Sequence, residues 1–326
     1  MKSGGQVDRS ASRFSRPSGG FARLIVGAAA APAFLRRGDL SREIERAVRR
    51  RGLDRLEIAP VAAPGGGSES ARQALADGAA LVIAAGGDGT VREVAGRLAG
   101  TRVPLGIVPL GTGNLFASAI GIGRRNAAIE ALASGESRSV DIGWLTLDSS
   151  SEPQPLLVAA GSGLDARVIG GTPRDAKRRW GIVAYFAAAA RAVIHLEPRP
   201  TWITVDGRRL RIDSTAVLVV NAGDLVPGLV RPHVPIRPDD GLLDVFVVRR
   251  RGLTGTLGGA VDLLTMAAEP PAGGGRATAR GARFRGREVR VEIEPPDQVE
   301  VDGDIVGSGN FVARVDPLAL NVLAVH

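Results

Sequence analysis

The sequence predicts an α/β protein in which a three-layer N-terminal domain is followed by a β-sandwich domain. Residues 21–138 alternate short apolar runs with helical patterns, an order typical of a parallel sheet covered by helices. From residue 139 the chain changes to alternating apolar and polar runs separated by tight turns, which is typical of a sandwich. The 326 residues are enough for two domains, at roughly 150 residues each.

In the N-terminal domain, apolar strand patterns alternate with helical patterns. The predicted strands lie at 22–27, 54–59, 79–85 and 103–110. The predicted helices lie at 38–52, 68–78 and 90–100, and a further helix begins near Asn114. Ligands bind such sheets beyond the carboxyl ends of the strands, so the segments that follow the strands are the candidates for a site.

The sandwich domain is predicted to span 139–310, and the first 20 residues to form a disordered basic tail. The tail is polar and lacks the apolar core of a signal peptide. A helical pattern at about 176–195 interrupts the strands, and the glycine-rich segment 270–281 is predicted to be a loop. The clearest strand patterns lie at 201–212, 215–223, 241–248, 287–294 and 298–307.

Composition restricts the chemistry that the chain can perform. There is no cysteine, which excludes disulfides, thiolate metal sites and cysteine nucleophiles. The three histidines, His195, His233 and His326, are too scattered for a histidine-rich metal site. No Gly-x-Ser-x-Gly elbow occurs, so a serine hydrolase is not expected. Carboxylates must therefore carry any acid, base or metal chemistry.

The net charge of +8 predicts an anionic partner. A nucleic acid is not favoured, because three tryptophans and one tyrosine supply few platforms on which bases could stack. The longest apolar segment begins at Trp180, is interrupted by Arg191, and is shorter than the roughly 18 to 20 uncharged residues of a membrane span. We therefore expect no span.

The segment GGDGT at 86–90 follows the third predicted strand. Its glycines let backbone N–H groups approach a phosphate closely, and the helix that follows adds a partial positive charge. Thr90 and Glu93 fit a capping box, which favours a structural role for both. Asp88 is different, because a carboxylate among phosphate-binding amides is repulsive unless a cation lies between them. Asp88 is either a ligand of Mg²⁺ or a solvated turn residue.

A second glycine turn, PLGTGNLFA at 109–117, follows the fourth predicted strand. Asn114 is positioned to cap the next helix. Two such turns at the ends of neighbouring strands would face the same crevice. Neither turn is a Walker A loop, because no lysine follows a glycine.

Together these segments resemble the diacylglycerol kinase catalytic family, which includes sphingosine kinases and many bacterial lipid kinases. The resemblance continues in order through VDIG, GSGLDA, KRRWGIVAYF, VVNAG, DDGLLDV and VEVDGD, and so covers most of the chain from about residue 21. It implies that ATP and Mg²⁺ bind between a nucleotide-binding α/β domain and a lipid-substrate β-sandwich. It also implies that the last segment, 311–326, returns to the first domain.

The resemblance assigns roles to individual residues. Those implied to line the nucleotide phosphates are Gly86, Gly87, Asp88, Gly89, Thr90, Gly111, Thr112, Gly113 and Asn114. Asp240 matches the proposed general base, although Asp-Asp-Gly before a strand is by itself a turn signal. Asp304 stands where the family usually has a glutamate close to the nucleotide. Arg178 and Arg179 resemble basic residues that approach the nucleotide, and a solvated helix face or a membrane-surface patch remains an equal alternative.

Two departures from the family pattern stand out. The segment IVGAAAAPAFLRRG lacks the asparagine that helps to hold the nucleotide, and Leu115 replaces an aspartate that many relatives have after Asn114. These changes leave open a remodelled nucleotide pocket or a loss of activity.

The resulting hypothesis is a cytoplasmic, ATP-dependent lipid kinase that uses Mg²⁺ and acts at the anionic inner membrane surface. Two alternatives remain. One is another small-molecule kinase such as an NAD kinase, which shares the Gly-Gly-Asp-Gly turn. The other is a catalytically silent nucleotide- or lipid-binding protein. A homodimer is left open as the oligomeric state.

Overall fold

A computed structural model describes residues 19–36, 38–163, 198–223, 236–248, 273–277 and 281–325. The predicted tail up to residue 18, the predicted helix at 176–195, and Arg178 and Arg179 lie outside these residues. Within the described residues, the helices are α1 (Ala31–Arg36), α2 (Gly38–Arg50), α3 (Gly66–Ala76), α4 (Asp88–Leu98), α5 (Leu115–Ala119) and α6 (Arg125–Ser134).

Most described residues outside the helices belong to strands. Those of the N-terminal domain are β1 (Phe21–Val26), β2 (Arg55–Pro60), β3 (Leu81–Gly86) and β4 (Leu105–Pro109). They are followed by β5 (Glu136–Leu147), β6 (Gln154–Leu156), β7 (Ala159–Ser162), β8 (Arg199–Val205), β9 (Arg208–Ser214), β10 (Ala216–Val220) and β11 (Leu243–Val248). The last are β12 (Gly274–Ala277), β13 (Gly281–Gly286), β14 (Glu288–Ile293), β15 (Gln298–Val301), β16 (Asp304–Ser308) and β17 (Phe311–Ala324).

The N-terminal domain has the predicted α/β architecture. Its strands pair in parallel in the order β2-β1-β3-β4. Every residue of β3 is buried, as expected for a central parallel strand. Helix α2 buries one apolar face that includes Ile44 and Val48, while Asp39 in its first turn and Arg50 in its last turn complement the helix dipole. Helix α2 packs on α6, and α3 packs on α4.

The C-terminal domain is the predicted β-sandwich. In the described residues, one of its sheets has seven strands in the order β12-β13-β11-β10-β7-β15-β16. The apolar core between the sheets joins residues from both, such as Val217 and Val245 from one sheet with Ile203 and Val289 from the other. Their burial on the inner faces supplies the main driving force that holds the sheets together.

The second sheet of the sandwich is continuous with the sheet of the N-terminal domain. Among the described residues it has ten strands, with β17 between β4 and β14, and β5 paired along β17. The final part of β17 runs parallel to β4, with Val322 opposite Leu105, so the C-terminal segment lies beside the first domain. The predicted boundary at 138/139 falls inside β5, because one long strand serves both domains.

One local prediction was wrong, and one element was not predicted. The glycine-rich segment 270–281 contains β12, because Gly275 has no side chain and the ring of Phe284 occupies that space, 1.9 Å from where a Cβ would be. The segment after β1 also contains the short helix α1, which is not among the predicted helices.

Candidate active site

The first glycine turn joins β3 to α4. Gly87 occupies the N-cap position and α4 begins at Asp88, so the prediction that Thr90 caps this helix was wrong. Thr90 lies in the first turn, and its Oγ1 is 2.6 Å from the position of a Cβ on Gly86 and 2.2 Å from that of a Cβ on Gly27. The two glycines are therefore required for the close packing of Thr90 between β1 and β3.

Glu93 also has a different partner from the one predicted. Its carboxylate accepts hydrogen bonds from Gly65 N–H at 2.7 Å and Gly67 N–H at 2.8 Å, at the start of α3. A side chain from α4 thus occupies the N-terminal amides of the neighbouring helix, which would otherwise attract an anion. A capping box assumes a local partner, and the sequence carries no signal for this long-range alternative.

The second glycine turn follows β4 and touches the first. A Cβ on Gly111 would lie 2.6 Å from Gly87 Cα, so only glycine permits this approach. Gly111 and Thr112 are exposed, and Gly113 is half-buried. Asn114 precedes α5 in the left-handed region, but its side chain bonds the N–H and the carbonyl oxygen of Gly111 instead of capping the helix.

Asp88 connects the two turns. Its Oδ1 accepts hydrogen bonds from Leu115 N–H at 2.6 Å and Phe116 N–H at 3.4 Å, so the carboxylate from the first turn caps the helix of the second. Burial raises the pKa of Asp88, and these N–H groups oppose that rise. The carboxylate is therefore neither a solvated turn residue nor an isolated charge.

The residues at this edge fit a nucleotide with Mg²⁺. The contact between Gly87 and Gly111 keeps side chains out of the turns, and the first-turn amides of α4 are free of local partners by helix geometry. The hydrogen bonds from Leu115 and Phe116 both go to Oδ1 of Asp88, so Oδ2 is the oxygen that would bind a cation. In the described part of the chain, however, no group of three or more acidic or histidine side chains gathers to hold a metal, so phosphate oxygens and water would complete the shell.

The hairpin between β15 and β16 brings the sandwich domain to this edge. Asp304 Oδ2 lies 3.4 Å from the position of a Cβ on Gly89 and forms an ion pair of 2.8 Å with Arg92 of α4. Asp302 accepts hydrogen bonds from the N–H groups of Leu157, Val158 and Ala159, which fixes the base of the hairpin. Burial raises the pKa of Asp302 to about 6 despite these three bonds.

Asp240 lies in the turn before β11. Its Oδ1 accepts a hydrogen bond from Leu242 N–H at 3.0 Å, which is the turn role that its sequence alone predicts. Its Oδ2 also forms an ion pair of 2.5 Å with Arg285 of β13, a partner that the sequence did not indicate. Burial raises the pKa of Asp240, and Arg285 opposes that rise.

Buried Asp141 of β5 holds the Asp240 turn in place. Its Oδ2 accepts a hydrogen bond from Gly241 N–H at 2.7 Å, and its Oδ1 accepts one from Leu318 N–H at 2.8 Å. Leu318 lies at the register break of β17, where that strand passes from one domain to the other. Asp141 therefore ties the turn to the junction between the domains.

Neighbouring contacts link the Asp240 turn with the glycine turns. Asn221, just after β10, donates from Nδ2 to the carbonyl oxygens of Asp141 and Leu157. Gly223 forms a bridge with Ile236, and a Cβ on Gly223 would lie 3.4 Å from Ala119 of α5, the helix that Asp88 caps. A continuous series of contacts at the junction between the domains thus connects Asp88 with Asp240.

Comparison with known proteins identifies the family. Residues 36–145 match the family described as "Diacylglycerol kinase catalytic domain", and residues 158–324 match "YegS C-terminal NAD kinase beta sandwich-like domain". A diacylglycerol kinase from Mycobacterium tuberculosis is 32% identical over 286 residues, which cover 85% of this chain and 86% of that protein. This chain belongs to the diacylglycerol kinase family.

Other proteins are similar to most of this chain. The diacylglycerol kinase of Bacillus subtilis is 26% identical, with 76% of this chain and 79% of that protein covered. An uncharacterized protein from Synechocystis is 28% identical, and this chain spans 56% of its length. The crystal structure of a diacylglycerol kinase from Bacillus anthracis has the same fold, with a TM-score of 0.64, 19% identity, and coverage of 93% of this chain and 96% of that one.

Among the described residues of this diacylglycerol kinase family member, no helix is both long and apolar enough to cross a bilayer.

Proposed function

We propose that this protein is an ATP-dependent lipid kinase that transfers the γ-phosphoryl group to a lipid hydroxyl. The observation that carries the proposal is the contact between Gly87 and Gly111, with the Asp88 carboxylate bridging their turns. Family membership supports a kinase, and the turns supply the bare backbone that phosphoryl transfer requires for positioning.

The nucleotide phosphates would lie over the two glycine turns. The N–H groups of the first turn of α4 would bind phosphate oxygens, with the helix dipole favouring their negative charge. Asp88 would hold Mg²⁺ through Oδ2 while Oδ1 keeps α5 in place. When bound, Mg²⁺ would neutralise charge on the β- and γ-phosphates.

The acceptor hydroxyl would approach the γ-phosphoryl group from the side of the sandwich domain. Asp240 would accept the hydroxyl proton as the oxygen forms its bond to the γ-phosphorus. The bond from that phosphorus to the β–γ bridging oxygen breaks, and its electron pair leaves with ADP. Asp240 suits this task because its side chain is 19% exposed, whereas the side chains of Arg285 and Asp244 are 7% and 1% exposed.

The experiment compares Asp240→Asn with Asp239→Asn. Asparagine can still accept the Leu242 N–H bond, so the turn is retained while the proton acceptor is lost. We expect Asp240→Asn to reduce lipid phosphorylation by about 100-fold or more, with nucleotide affinity unchanged when measured by titration calorimetry.

Asp239 is the matched control because it is the adjacent carboxylate. Arg138 and Arg237 flank it and keep its pKa below the usual value against the effect of burial. Full transfer activity in both variants would exclude a general base in this turn. Loss in Asp239→Asn alone would move the assignment by one residue. Nucleotide binding without transfer by the wild-type protein, across a panel of extracted lipids, would favour a silent binding protein.

The lipid substrate also requires contact with a membrane. We propose reversible docking to an anionic surface, supported by the net charge of +8. The purified protein should co-sediment with vesicles that contain anionic lipid more than with neutral vesicles, and added salt should weaken that binding. Equal sedimentation with both vesicle types would contradict electrostatic docking.

A further inference from the structure

The carboxylate of Asp240 is one end of an ionic ladder on the seven-stranded sheet. Arg285 pairs with Asp240 Oδ2 at 2.5 Å and approaches Asp244 Oδ2 at 3.5 Å through its Nε. Asp244 in turn pairs with Arg283 at 2.7 Å, and the side chains of both are 1% exposed. Two carboxylates and two guanidinium groups thus alternate from the enclosed sheet toward the accessible turn.

The inner end of the ladder is fixed by its surroundings. The Arg283 guanidinium lies over the ring of Phe246, 5.2 Å from its centroid, and Asp244 Oδ1 accepts a 2.8 Å bond from Arg283 Nε. Arg283 thus contacts one oxygen of Asp244. Arg285 lies against the other oxygen, while its Nη2 reaches Asp240. Burying a charge without a partner of opposite sign costs free energy, so each charged group of the ladder must lie next to one of opposite charge.

In the described residues, three charged groups act on Asp240 from the elements packed against its turn. Arg285 of β13 favours the ionised carboxylate, whereas Asp244 of β11 and Asp141 of β5 disfavour it. Asp239, the adjacent carboxylate, is paired with Arg138 and Arg237. Arg285 is thus a cation that opposes two anions and burial at Asp240.

We propose that Arg285 is a positioning residue for phosphoryl transfer, which holds the Asp240 carboxylate ionised and aims it toward the acceptor hydroxyl. This inference rests on the proposed function, in which Asp240 takes the hydroxyl proton. The guanidinium binds one oxygen while the Leu242 N–H binds the other, so the carboxylate plane is fixed from two sides. The remaining lone pairs can then receive the proton.

The test is the pH profile of kcat/KM for lipid phosphorylation in Arg285→Met. Transfer requires ionised Asp240, so activity appears as pH rises through the pKa of that carboxyl group. Removing the cation raises this pKa, and the acid limb should move to higher pH, with a several-fold increase in the ratio of activity at pH 8 to activity at pH 6. The KM for ATP should stay unchanged, because the nucleotide side is untouched.

A second variant shifts the limb in the opposite direction. Asp244→Asn removes an anion that disfavours ionised Asp240, so its acid limb should move to lower pH. If one of these variants fails to fold, the direction in which the acid limb moves in the other still tests the proposal. Arg285→Lys keeps the charge and should restore part of the profile, whereas a loss of packing alone would not produce opposite shifts.

Arg287→Met is the matched control, since Arg287 is exposed and lies just beyond the same strand. Its pH profile should match that of the wild-type protein. An unchanged acid limb in Arg285→Met or Asp244→Asn, in a background where Asp240→Asn is inactive, would overturn the proposal for Arg285 alone. Retained transfer in Asp240→Asn would instead overturn the general base of the proposed function.

Discussion

The glycine turns and the Asp240 turn are built by different means, although they belong to the same junction. The glycine turns depend on missing side chains, because Gly87 and Gly111 approach each other more closely than any Cβ would permit. The Asp240 turn depends on side chains, because Arg285 and Asp141 fix its carboxylate and its backbone. The glycine turns, proposed to bind phosphate, are therefore specified by short local segments, whereas the Asp240 carboxylate, proposed to accept a proton, is positioned by charges far away in the sequence.

The most severe test of this comparison is Gly111→Ala. The added Cβ would lie 2.6 Å from Gly87 Cα, so the turns must separate. We expect about 1–3 kcal/mol of destabilisation in urea unfolding, together with loss of measurable ATP binding. Gly38→Ala is the control, since a Cβ on Gly38 has no atom within 4 Å and both properties should be retained. Wild-type ATP affinity in Gly111→Ala would show that the contact is not needed.

Asp88→Asn should reduce turnover strongly with little effect on folding. An amide oxygen can still accept the Leu115 N–H bond, whereas the charge that would hold Mg²⁺ is lost. We expect a melting temperature close to that of the wild-type protein and a kinase rate lower by about 100-fold or more.

Asp88→Ala separates the two roles of Asp88. It removes the cap as well as the charge and should cost a further ~1 kcal/mol of stability. An unchanged kinase rate in Asp88→Asn would remove this carboxylate from the mechanism and leave it only as a helix cap.

The last prediction concerns stability and its dependence on pH, at Asp302. Asparagine would direct an N–H₂ group at backbone donors, so Asp302→Asn should be less stable by about 1–3 kcal/mol. The folded pKa of Asp302 is about 6, above its unfolded value, so its contribution is complete below about pH 4 and falls as pH rises through 6. The wild-type advantage over Asp302→Asn should therefore be larger at pH 4.5 than at pH 7.5 in urea unfolding.

Asp206→Asn is the control for this measurement. Asp206 has the same left-handed turn conformation before a glycine, and its carboxylate also accepts backbone N–H bonds, but the residue is exposed. Asp206→Asn therefore measures the effect of asparagine in a turn of this conformation at an exposed position. A wild-type advantage over Asp302→Asn that grows with pH would contradict the role of burial at Asp302.

The sequence predicted where the candidate site residues lie along the chain but not which contacts join them in space. The periodicity of β3 and α4 and the glycines after each strand predicted where the two turns lie, because these signals extend over only a few residues. It misassigned Thr90 and Glu93, since a capping pattern is the same whether its partner is local or belongs to another helix. It predicted a turn at Asp240, which the structure confirms, and by resemblance a general base, which stays a prediction. It gave no signal for Arg285, which is 45 residues away.

The sequence by itself determined the two-domain α/β and β-sandwich architecture, the glycine turns and the absence of cysteine chemistry. These properties depend on hydrophobic periodicity, the conformational freedom of glycine and composition, each of which acts locally along the chain. Only the tertiary structure decided that β5 and β17 join both domains in one sheet, that Asp88 caps α5, and that Arg285 and Asp141 fix the Asp240 turn. Those contacts join residues far apart in sequence, and their geometry exists only once the sheets have formed.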